Sequence, residues 1–279
     1  MSAIGSKNIT NVVFDWQTEN LPTPSGTGQL EGFELSRATS TATTRESNVA
    51  QISSRDATVS GSQDASDPAG KKQELAHQMA LMSKALKRDM EVALCQNTAK
   101  NAGNATTARQ TRSFEAWITT NKSRGTGGAD GSASAAATDA TTGNRRALTE
   151  ALLKGVLQSM FTNGAEPKMA IAGPVNKGVI SGFTGRANTR QNVSADTVSA
   201  SISVYASDFG ELQIVPSNRS RDRSLLLVDP EYAKVAYLRN FQTMDIAKIG
   251  DADTKMILAE YGLEMSNEAA HGIVADLTA

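Results

Sequence analysis

The longest regular pattern of apolar residues lies between residues 71 and 102 and has the spacing of a helix. Apolar side chains recur there at steps of three and four residues, which places them along one side of a helix. Neither glycine nor proline interrupts the range, and Asp67 followed by Pro68 is a typical helix start. The pattern predicts one helix of about thirty residues, or about 45 Å, which is long for a globular protein. Its apolar stripe consists of Leu75, Met79, Met82, Leu86, Met90 and Leu94.

The methionines in this stripe allow two interpretations, a groove for a partner or packing in the core, and we favour the core. Charged residues, including Lys84, Lys87 and Arg88, lie mostly off the stripe. His77 is predicted to be exposed on this helix or to lie at an interface.

A second amphipathic helix is predicted to begin near Arg145 and to end at Gly164. Before it, residues 123–144 are rich in Gly, Ala and Thr and contain no large apolar side chain, so we predict a loop outside the core. A short element is predicted around Phe114, Trp117 and Ile118. The apolar stripe of the second helix is Leu148, Leu152, Val156 and Phe161.

From Lys168 onward, short apolar runs alternate with Gly, Pro and Asp, which is typical of a chain that alternates between strands and helices. Asp229–Pro230 repeats the helix-start signal and predicts a helix through about Leu238. The predicted strands before it are MAIAG, SISVYASDFG, LQIVPS and SLLLVD, with a short helix in VNKGVISGF. The predicted strands after it are MDIAK, KMILAEYGLEM and HGIVADL, and SNEAA has the right length for a hairpin between the last two.

The N-terminal segment is poor in large apolar side chains. Residues 1–20 mix short apolar runs with polar residues, and we interpret them either as an arm lying on other structure or as an edge strand. LPTPSGTG, residues 21–28, contains two prolines and two glycines, which argues for an extended connector.

Leu30 to Ser62 is rich in Thr, Ser, Ala and Arg and is predicted to form a long hairpin. Its two weak strands are expected around Thr41 and from Val49 to Val59. An isolated hairpin is marginally stable in water, and this one has too few apolar side chains to build a core of its own. It is therefore either a flexible surface excursion or a hairpin that gains order by packing on something else, and we expect it to add little to the subunit core.

Composition excludes several classes of protein. The chain has 279 residues with 28 basic and 29 acidic side chains, so no excess of positive charge indicates a nucleic-acid-binding surface. The single cysteine, Cys95, excludes an intramolecular disulfide and is expected to be a small packed apolar group. The N-terminus lacks a signal-peptide pattern, and no stretch approaches the ~20 apolar residues that span a bilayer. We therefore expect a soluble protein made in a cytoplasm.

No recognisable catalytic or cofactor motif is present in the sequence. GTGQLEG and GTGGADG both miss the dinucleotide-binding spacing by one residue, and there is neither a phosphate-binding loop nor a nucleophile elbow. DADTK, residues 251–255, begins like a calcium loop but lacks its glycine and glutamate, so we predict a solvated turn. With two histidines and one cysteine, no typical zinc ligand set is present. We predict that the chain is not an enzyme and has no catalytic, cofactor-binding or metal residues and no cofactor.

Arg219, Arg221 and Arg223 alternate in NRSRDRS, which could place three guanidinium groups on one face of a strand. They are interpreted either as a contact with a subunit or nucleic acid, or as a solvated turn in which Asp222 offsets one charge. His271, at the start of the last predicted strand, is expected to make a structural hydrogen bond.

Three blocks of the chain resemble the major capsid proteins of tailed phages that have the Hong Kong 97-type coat fold. They are VVFDWQTENLPTPSGTGQLEG near the N-terminus, GKKQELAHQMALMSKALKRDMEVALCQNTA before the middle, and the last quarter from Ser224 to Leu277. The resemblance spans most of the chain and is weakest from Lys122 to Asn144. It implies an α+β fold with an N-terminal arm, an extended loop, a peripheral domain with a long spine helix, and an axial domain.

The resemblance also implies a division of the chain. Residues 1–23 would be the N-terminal arm, and residues 24–63 the extended loop, a hairpin that reaches over a neighbouring subunit. Residues 64–145 would form the peripheral domain with the spine helix, residues 146–242 the axial domain, and residues 243–279 the C-terminal strands of the peripheral domain.

The function so implied is self-assembly into the icosahedral head of a tailed double-stranded DNA phage, with the protein made in the cytoplasm of a bacterial host and located in the virion capsid. The implied partners are further copies in hexamers and pentamers, together with portal, scaffold or decoration proteins. Double-stranded DNA would be enclosed without sequence-specific binding, and no membrane is involved. Two alternatives stay open at this stage: the shell protein of an encapsulin-like nanocompartment, and an α/β enzyme with an unrecognised site.

Overall fold

A computed structural model describes residues 3–19, 21, 24, 26–34, 42–66, 74–183, 203–248 and 250–278. The chain forms two β-sheets, a two-stranded ribbon and five helices within this range. The helices are α1 (Gly61–Ala65), α2 (Glu74–Cys95), α3 (Phe114–Trp117), α4 (Glu150–Thr162) and α5 (Pro174–Ser181). The strands are β1 (Gly5–Asn8), β2 (Val13–Thr18), β3 (Thr44–Val49), β4 (Gln51–Ser60), β5 (Asn121–Ser123), β6 (Met169–Ala172), β7 (Val204–Ser207), β8 (Gly210–Pro216), β9 (Ser224–Val228), β10 (Ala233–Ile246), β11 (Ala252–Met265) and β12 (Gly272–Ala275).

The four-stranded sheet has the order β1-β10-β11-β4. Its centre is the antiparallel pair β10 and β11, each of 14 residues. Gly250, with φ of 90°, lies in the turn that joins them, where a backbone with positive φ favours glycine. β4 pairs with the outer edge of β11, and β1 pairs parallel with β10. The pair β10 and β11 is therefore long, and the end that carries its turn extends beyond β1.

The six-stranded sheet has the order β5-β12-β9-β6-β8-β7. All five residues of β9 are buried, as expected for a strand that is apolar along its whole length and lies between neighbours on both sides. α4 packs on one side of this sheet, with Val156, Leu157 and Met160 in a core shared with Leu225 and Leu227. The structure confirms several predicted elements of this region: the strands in MAIAG, LQIVPS, SLLLVD and HGIVADL, and the helix in VNKGVISGF.

α2 confirms the predicted long helix and its buried side, but the helix ends at Cys95 and not near residue 102. Leu86, Met90 and Leu94 are buried, and Lys87 is exposed. The chain leaves the helix because its next polar groups bond elsewhere: the Thr98 amide donates to Ser113 Oγ at 2.9 Å, and the Asn97 side chain bonds the backbone of Ala137. The predicted start at Asp67 lies outside the described residues.

α4 begins at Glu150, capped by Thr149, and not near Arg145. Its predicted apolar face was partly wrong, because Phe161 is 54% exposed and Leu152 is half-buried. The residues on its buried face are Leu153, Val156, Leu157 and Met160. The predicted stop is confirmed, since Gly164 has φ of 79°.

The helix predicted from Asp229 to Leu238 is wrong. The Asp229 carboxylate accepts from the Glu231 amide at 3.1 Å and the Tyr232 amide donates to the Asp229 carbonyl, which makes a turn. An Asp-Pro pair suits the first positions of a turn as well as those of a helix. β10 follows directly, because pairing along the full length of β11 outweighs the preference of Asp229–Pro230 for a helix start.

The hairpin predicted across SNEAA is also wrong. β11 belongs to the four-stranded sheet, whereas β12 pairs with β9 and β5 in the other sheet. The connecting segment holds a short 3-10 turn, Glu268–Ala270, and the Glu268 carboxylate accepts from the backbone amides of Thr119 and Thr120. The chain therefore crosses between sheets here: β10 and β11 lie in the four-stranded sheet, and β12 lies in the six-stranded sheet.

The hairpin predicted within Leu30 to Ser62 does not form among the described residues. β3 pairs with β2, and β4 pairs with β11, so the two strands belong to different sheets. Val49 and Ala50 are fully buried, so this segment contributes to the core, contrary to the prediction. The true hairpin is β2–β3, in which Thr18 lies opposite Thr44. Thr18 and Thr44, which flank residues 19–43, therefore lie next to each other at the end of this hairpin.

The glycine-rich segment 123–144 is irregular, as predicted, but it is packed against the core. Gly131 lies so close to Ala116 that a Cβ atom would come within 2.6 Å of the Ala116 carbonyl oxygen. The Asp276 carboxylate, buried at the end of β12, accepts from the amides of Gly125 and Ala140 at 2.9 and 2.7 Å. Small residues therefore serve here to allow close backbone packing.

Candidate assembly surfaces and the charged interior

The two histidines and the cysteine lie where the sequence indicated, and they do not meet. His77 is exposed on α2, whereas His271 and Cys95 are buried. Burial raises the pKa of Cys95 to about 12, so its thiol stays protonated and packs as an apolar group. Among the described residues no group of His, Cys, Asp and Glu could hold a metal ion, and none of the described helices is long and apolar enough to cross a membrane.

His271 makes the predicted structural hydrogen bond. Its Nδ1 accepts from the Asp229 amide at 3.3 Å, and its ring meets the edge of Phe114 with 6.3 Å between ring centroids. Burial lowers the pKa of His271 to about 4, so the imidazole is neutral at pH 7 with the proton on Nε2.

Two of the three arginines of NRSRDRS, Arg221 and Arg223, are not simply solvated but form ion pairs with carboxylates. Arg221 forms an ion pair with buried Glu115 at 2.9 Å and another with Asp139, and Arg223 reaches Asp139 at 3.1 Å. Burial raises the pKa of Glu115, and the nearby charge of Arg221 opposes that shift. The cluster ties the turn before β9 to α3 and to the glycine-rich segment.

A second ionic cluster, around Glu260 of β11, was missed at the sequence level. Arg109 and Arg239 donate to its two oxygens at 2.7 and 2.8 Å, and the Glu260 side chain is 4% exposed. An acidic residue within the apolar run KMILAEYGLEM was a signal that a cation must lie opposite. No pattern could identify Arg109, because it comes from an irregular segment.

The four-stranded sheet has two different faces. On one face Ala57, Val59 and Tyr261 lie under α2, and Arg55 binds Asp89 of that helix through two hydrogen bonds of 2.7 and 2.9 Å. On the other face the segment containing Arg109 covers the region around Glu260.

Nearer the β10–β11 turn, this second face is open within the described chain. Met244 lies opposite Met256 in the sheet register, with Ile246 two residues along on the same side. Met244 and Ile246 are 47% and 39% exposed. These three residues are termed the distal sheet face. Exposed apolar side chains grouped on a sheet face indicate a protein contact.

The connection between β2 and β3 carries a second exposed apolar set. Leu21, Leu30 and Phe33 are 94%, 84% and 53% exposed. Leu21 and Leu30 thus have nearly the whole side chain in water, and Phe33 about half, so these residues contribute little to the stability of the subunit itself. Residues 19–43, which contain them, are termed the β2–β3 loop.

A third exposed apolar set lies at the six-stranded sheet. Val175 and Val179 are one helical turn apart on α5, and Val204 lies on the edge strand β7. Phe161 of α4 rests against Phe209, with 5.2 Å between ring centroids. A subunit with apolar side chains exposed at several separate places has the properties of a protein that packs against further copies or partners.

Solved structures match this chain along nearly its whole length. The chain superimposes on a protein of the cyanophage A-1(L) capsid with a TM-score of 0.68 at 12% identity, covering 100% of this chain and 92% of that one. For Gordonia phage Cozz the TM-score is 0.61 at 13% identity, with coverage of 100% and 85%. For the SrpI encapsulin of Synechococcus elongatus the TM-score is 0.58 at 10% identity, with coverage of 99% and 86%. The fold is therefore the Hong Kong 97-type coat fold, as the sequence predicted.

The sequence itself assigns the family. The model of the SU10 major capsid protein family matches residues 1–278, and the chain belongs to that family. No curated protein matches the chain. The membership gives the chain a structural role, as a major capsid protein that associates with itself in a virion shell.

Proposed function

We propose that the chain assembles as hexamers and pentamers into the icosahedral head of a tailed phage. The head encloses double-stranded DNA without sequence-specific contacts, and portal, scaffold or decoration proteins complete it. The subunit is made in the cytoplasm of the bacterial host. The observation that carries the proposal is the family match over nearly the whole chain, together with apolar surfaces that one subunit leaves in water.

We further propose a division of the subunit that follows its sheets. The peripheral domain combines α2 with β1, β4, β10 and β11, and the axial domain is the six-stranded sheet with α4 and α5. The N-terminal arm is residues 1–18, held by β1 on β10 and by β2 on β3. The extended loop is then the β2–β3 loop and not residues 24–63.

The β2–β3 loop is proposed to dock on the distal sheet face of a neighbouring subunit. The loop supplies Leu21, Leu30 and Phe33, and the sheet face supplies Met244, Ile246 and Met256. Docking therefore removes apolar side chains of both surfaces from water. Burying one large apolar side chain contributes roughly 1.5–3 kcal/mol. A few such contacts per subunit, repeated around a capsomer, offset the entropy that the contacting side chains lose when they are fixed in the interface.

The test is substitution of the acceptor surface. Met244→Asn combined with Ile246→Asn should leave the melting temperature of the subunit nearly unchanged, because both side chains are already about half exposed. The same chain should fail to form closed particles in negative-stain microscopy and light scattering. The matched control is Leu81→Asn, which removes a side chain of 42% exposure from the opposite side of the sheet. Normal shells from the double variant would refute the docking, and a strictly monomeric parent chain would refute the shell itself.

A second candidate function is the shell of a protein-filled nanocompartment. It is favoured by one observation, the likeness of fold to the SrpI encapsulin along 99% of this chain. The content of the particle separates the two functions, since a head contains DNA and a nanocompartment contains a cargo enzyme.

A further inference from the structure

The described part of the chain pairs most of its cations with carboxylates. Ion pairs join Lys7 to Glu264, Arg55 to Asp89, and Lys248 to Asp253, and the arginines around Glu115 and Glu260 are bound in the same way. This pairing fits a formal net charge of −1. Against this background, a group of cations without acidic partners stands apart.

Lys84, Lys87 and Arg88 form such a group on α2. All three are exposed, and their spacing of three and four residues places them next to one another on the helix surface. Among the described residues, no carboxylate pairs with any of them. Lys87 lies 5.7 Å from the ring centroid of Phe241, a contact that holds the ammonium group in place without neutralising it.

The carboxylates nearest to this group bond to other residues. Asp89 is bound by Arg55 through two hydrogen bonds, and Glu91 accepts from Ser217 Oγ at 2.6 Å. The sequence has no acidic residue from Leu75 to Arg88. The surface formed by Lys84, Lys87 and Arg88, termed the basic face of α2, therefore carries about three uncompensated positive charges.

We propose that the basic face of α2 binds the phosphate backbone of double-stranded DNA. This inference rests on the proposed function and adds the surface that the enclosed DNA contacts. Three adjacent exposed cations fit a polyanion better than a protein, because charged residues are depleted at the centre of protein interfaces. α2 also covers the side of the sheet opposite the distal sheet face, so DNA and the neighbouring subunit do not compete for one surface.

Phosphate contacts predict a defined dependence on salt. Three contacts weaken DNA binding ~40-fold between about 50 and 200 mM salt, because each contributes ~0.9 to the slope of log affinity against log salt. Binding should show no preference for DNA sequence, since the contacts involve only the backbone.

The experiment compares two triple variants of the full-length chain. Lys84→Gln, Lys87→Gln and Arg88→Gln remove the basic face, and Lys154→Gln, Lys168→Gln and Lys248→Gln remove the same charge from cations that have acidic partners. Affinity for a short random-sequence DNA duplex, measured by fluorescence anisotropy at low and moderate salt, should fall and lose most of its salt dependence only in the first variant. Equal behaviour of the two variants would overturn the inference.

Shell assembly is measured on the same variants by microscopy, which separates this inference from the proposed function. Normal shells with unchanged DNA binding refute only the basic face, whereas a parent chain that forms no shells refutes the function. If the first variant fails to assemble, ultraviolet crosslinking of DNA-filled parent particles decides. Nucleotide adducts on the peptide with residues 84–88 support the inference, and adducts confined to other peptides, or a crosslink from this peptide to a protein partner, overturn it.

Discussion

At the scale of single residues, burial decides what a side chain does in this subunit, and neighbouring positions on α2 differ completely. Leu86 is fully buried between α2 and the four-stranded sheet, while Lys87 is exposed beside Phe241. Leu86→Asp should abolish folding, because an unpaired buried carboxylate costs several kcal/mol against a total stability of ~5–15 kcal/mol. Lys87→Asp should cost at most about 1 kcal/mol. Equal melting temperatures would contradict the assigned helix face.

His271 predicts how stability changes with acid. Its pKa is lowered from 6.5 to about 4 by burial, so between these values the unfolded chain binds a proton that the folded chain does not. Stability contributed by the neutral imidazole is therefore complete above pH 6.5 and is lost as the pH falls toward 4. The loss amounts to about 3 kcal/mol, at ~1.4 kcal/mol per pKa unit.

The measurement is urea unfolding across this pH range for the parent chain and for His271→Asn, which keeps an acceptor near the position of Nδ1. As the pH falls from 6.5 toward 4, the free energy of unfolding should decrease more in the parent than in the variant, because only the parent has this titrating ring. Parallel curves would show that His271 does not contribute to the acid sensitivity.

At the scale of elements, the paired strands β2 and β3 contribute to the fold of the subunit, whereas the β2–β3 loop is proposed to serve assembly. Replacing residues 19–43 with Asn-Gly should preserve the fold, because Thr18 and Thr44 already lie opposite each other and a two-residue turn can join them. The variant should give the circular dichroism spectrum and melting curve of the parent, yet fail to form closed particles.

A matched replacement of Phe33 to Val59 by a Gly/Ser linker should fail to fold. It removes β3 and most of β4, and with them buried Val49 and the Asn48 side chain that bonds Leu263 and Arg112. If this second variant melted cooperatively like the parent, the placement of β4 in the sheet would be wrong.

At the scale of the whole molecule, the two proposed contact surfaces lie on different sides of the four-stranded sheet. The distal sheet face is on one side, and the basic face of α2 is on the other.

Particles isolated from their natural source should therefore contain nuclease-protected DNA in place of a protein cargo. Nucleic-acid staining after nuclease treatment, with mass spectrometry of the proteins in the particle, makes the measurement. A shell that holds one abundant enzyme and no DNA would identify a nanocompartment.

The sequence by itself determined the features that depend on local pattern. The apolar stripe of α2, the fully apolar β9, the stop at Gly164 and the buried thiol of Cys95 all follow from spacing and residue type, and the resemblance of three blocks identified the coat fold. Tertiary structure alone decided which strands pair. The Asp229–Pro230 signal suits a turn or a helix, and pairing with β11 made it a turn. β4 carries few large apolar residues, yet its Ala57 and Val59 are buried, because a strand's burial depends on what packs against it. The Glu260 cluster depends on contacts between residues far apart in sequence, which no local pattern encodes.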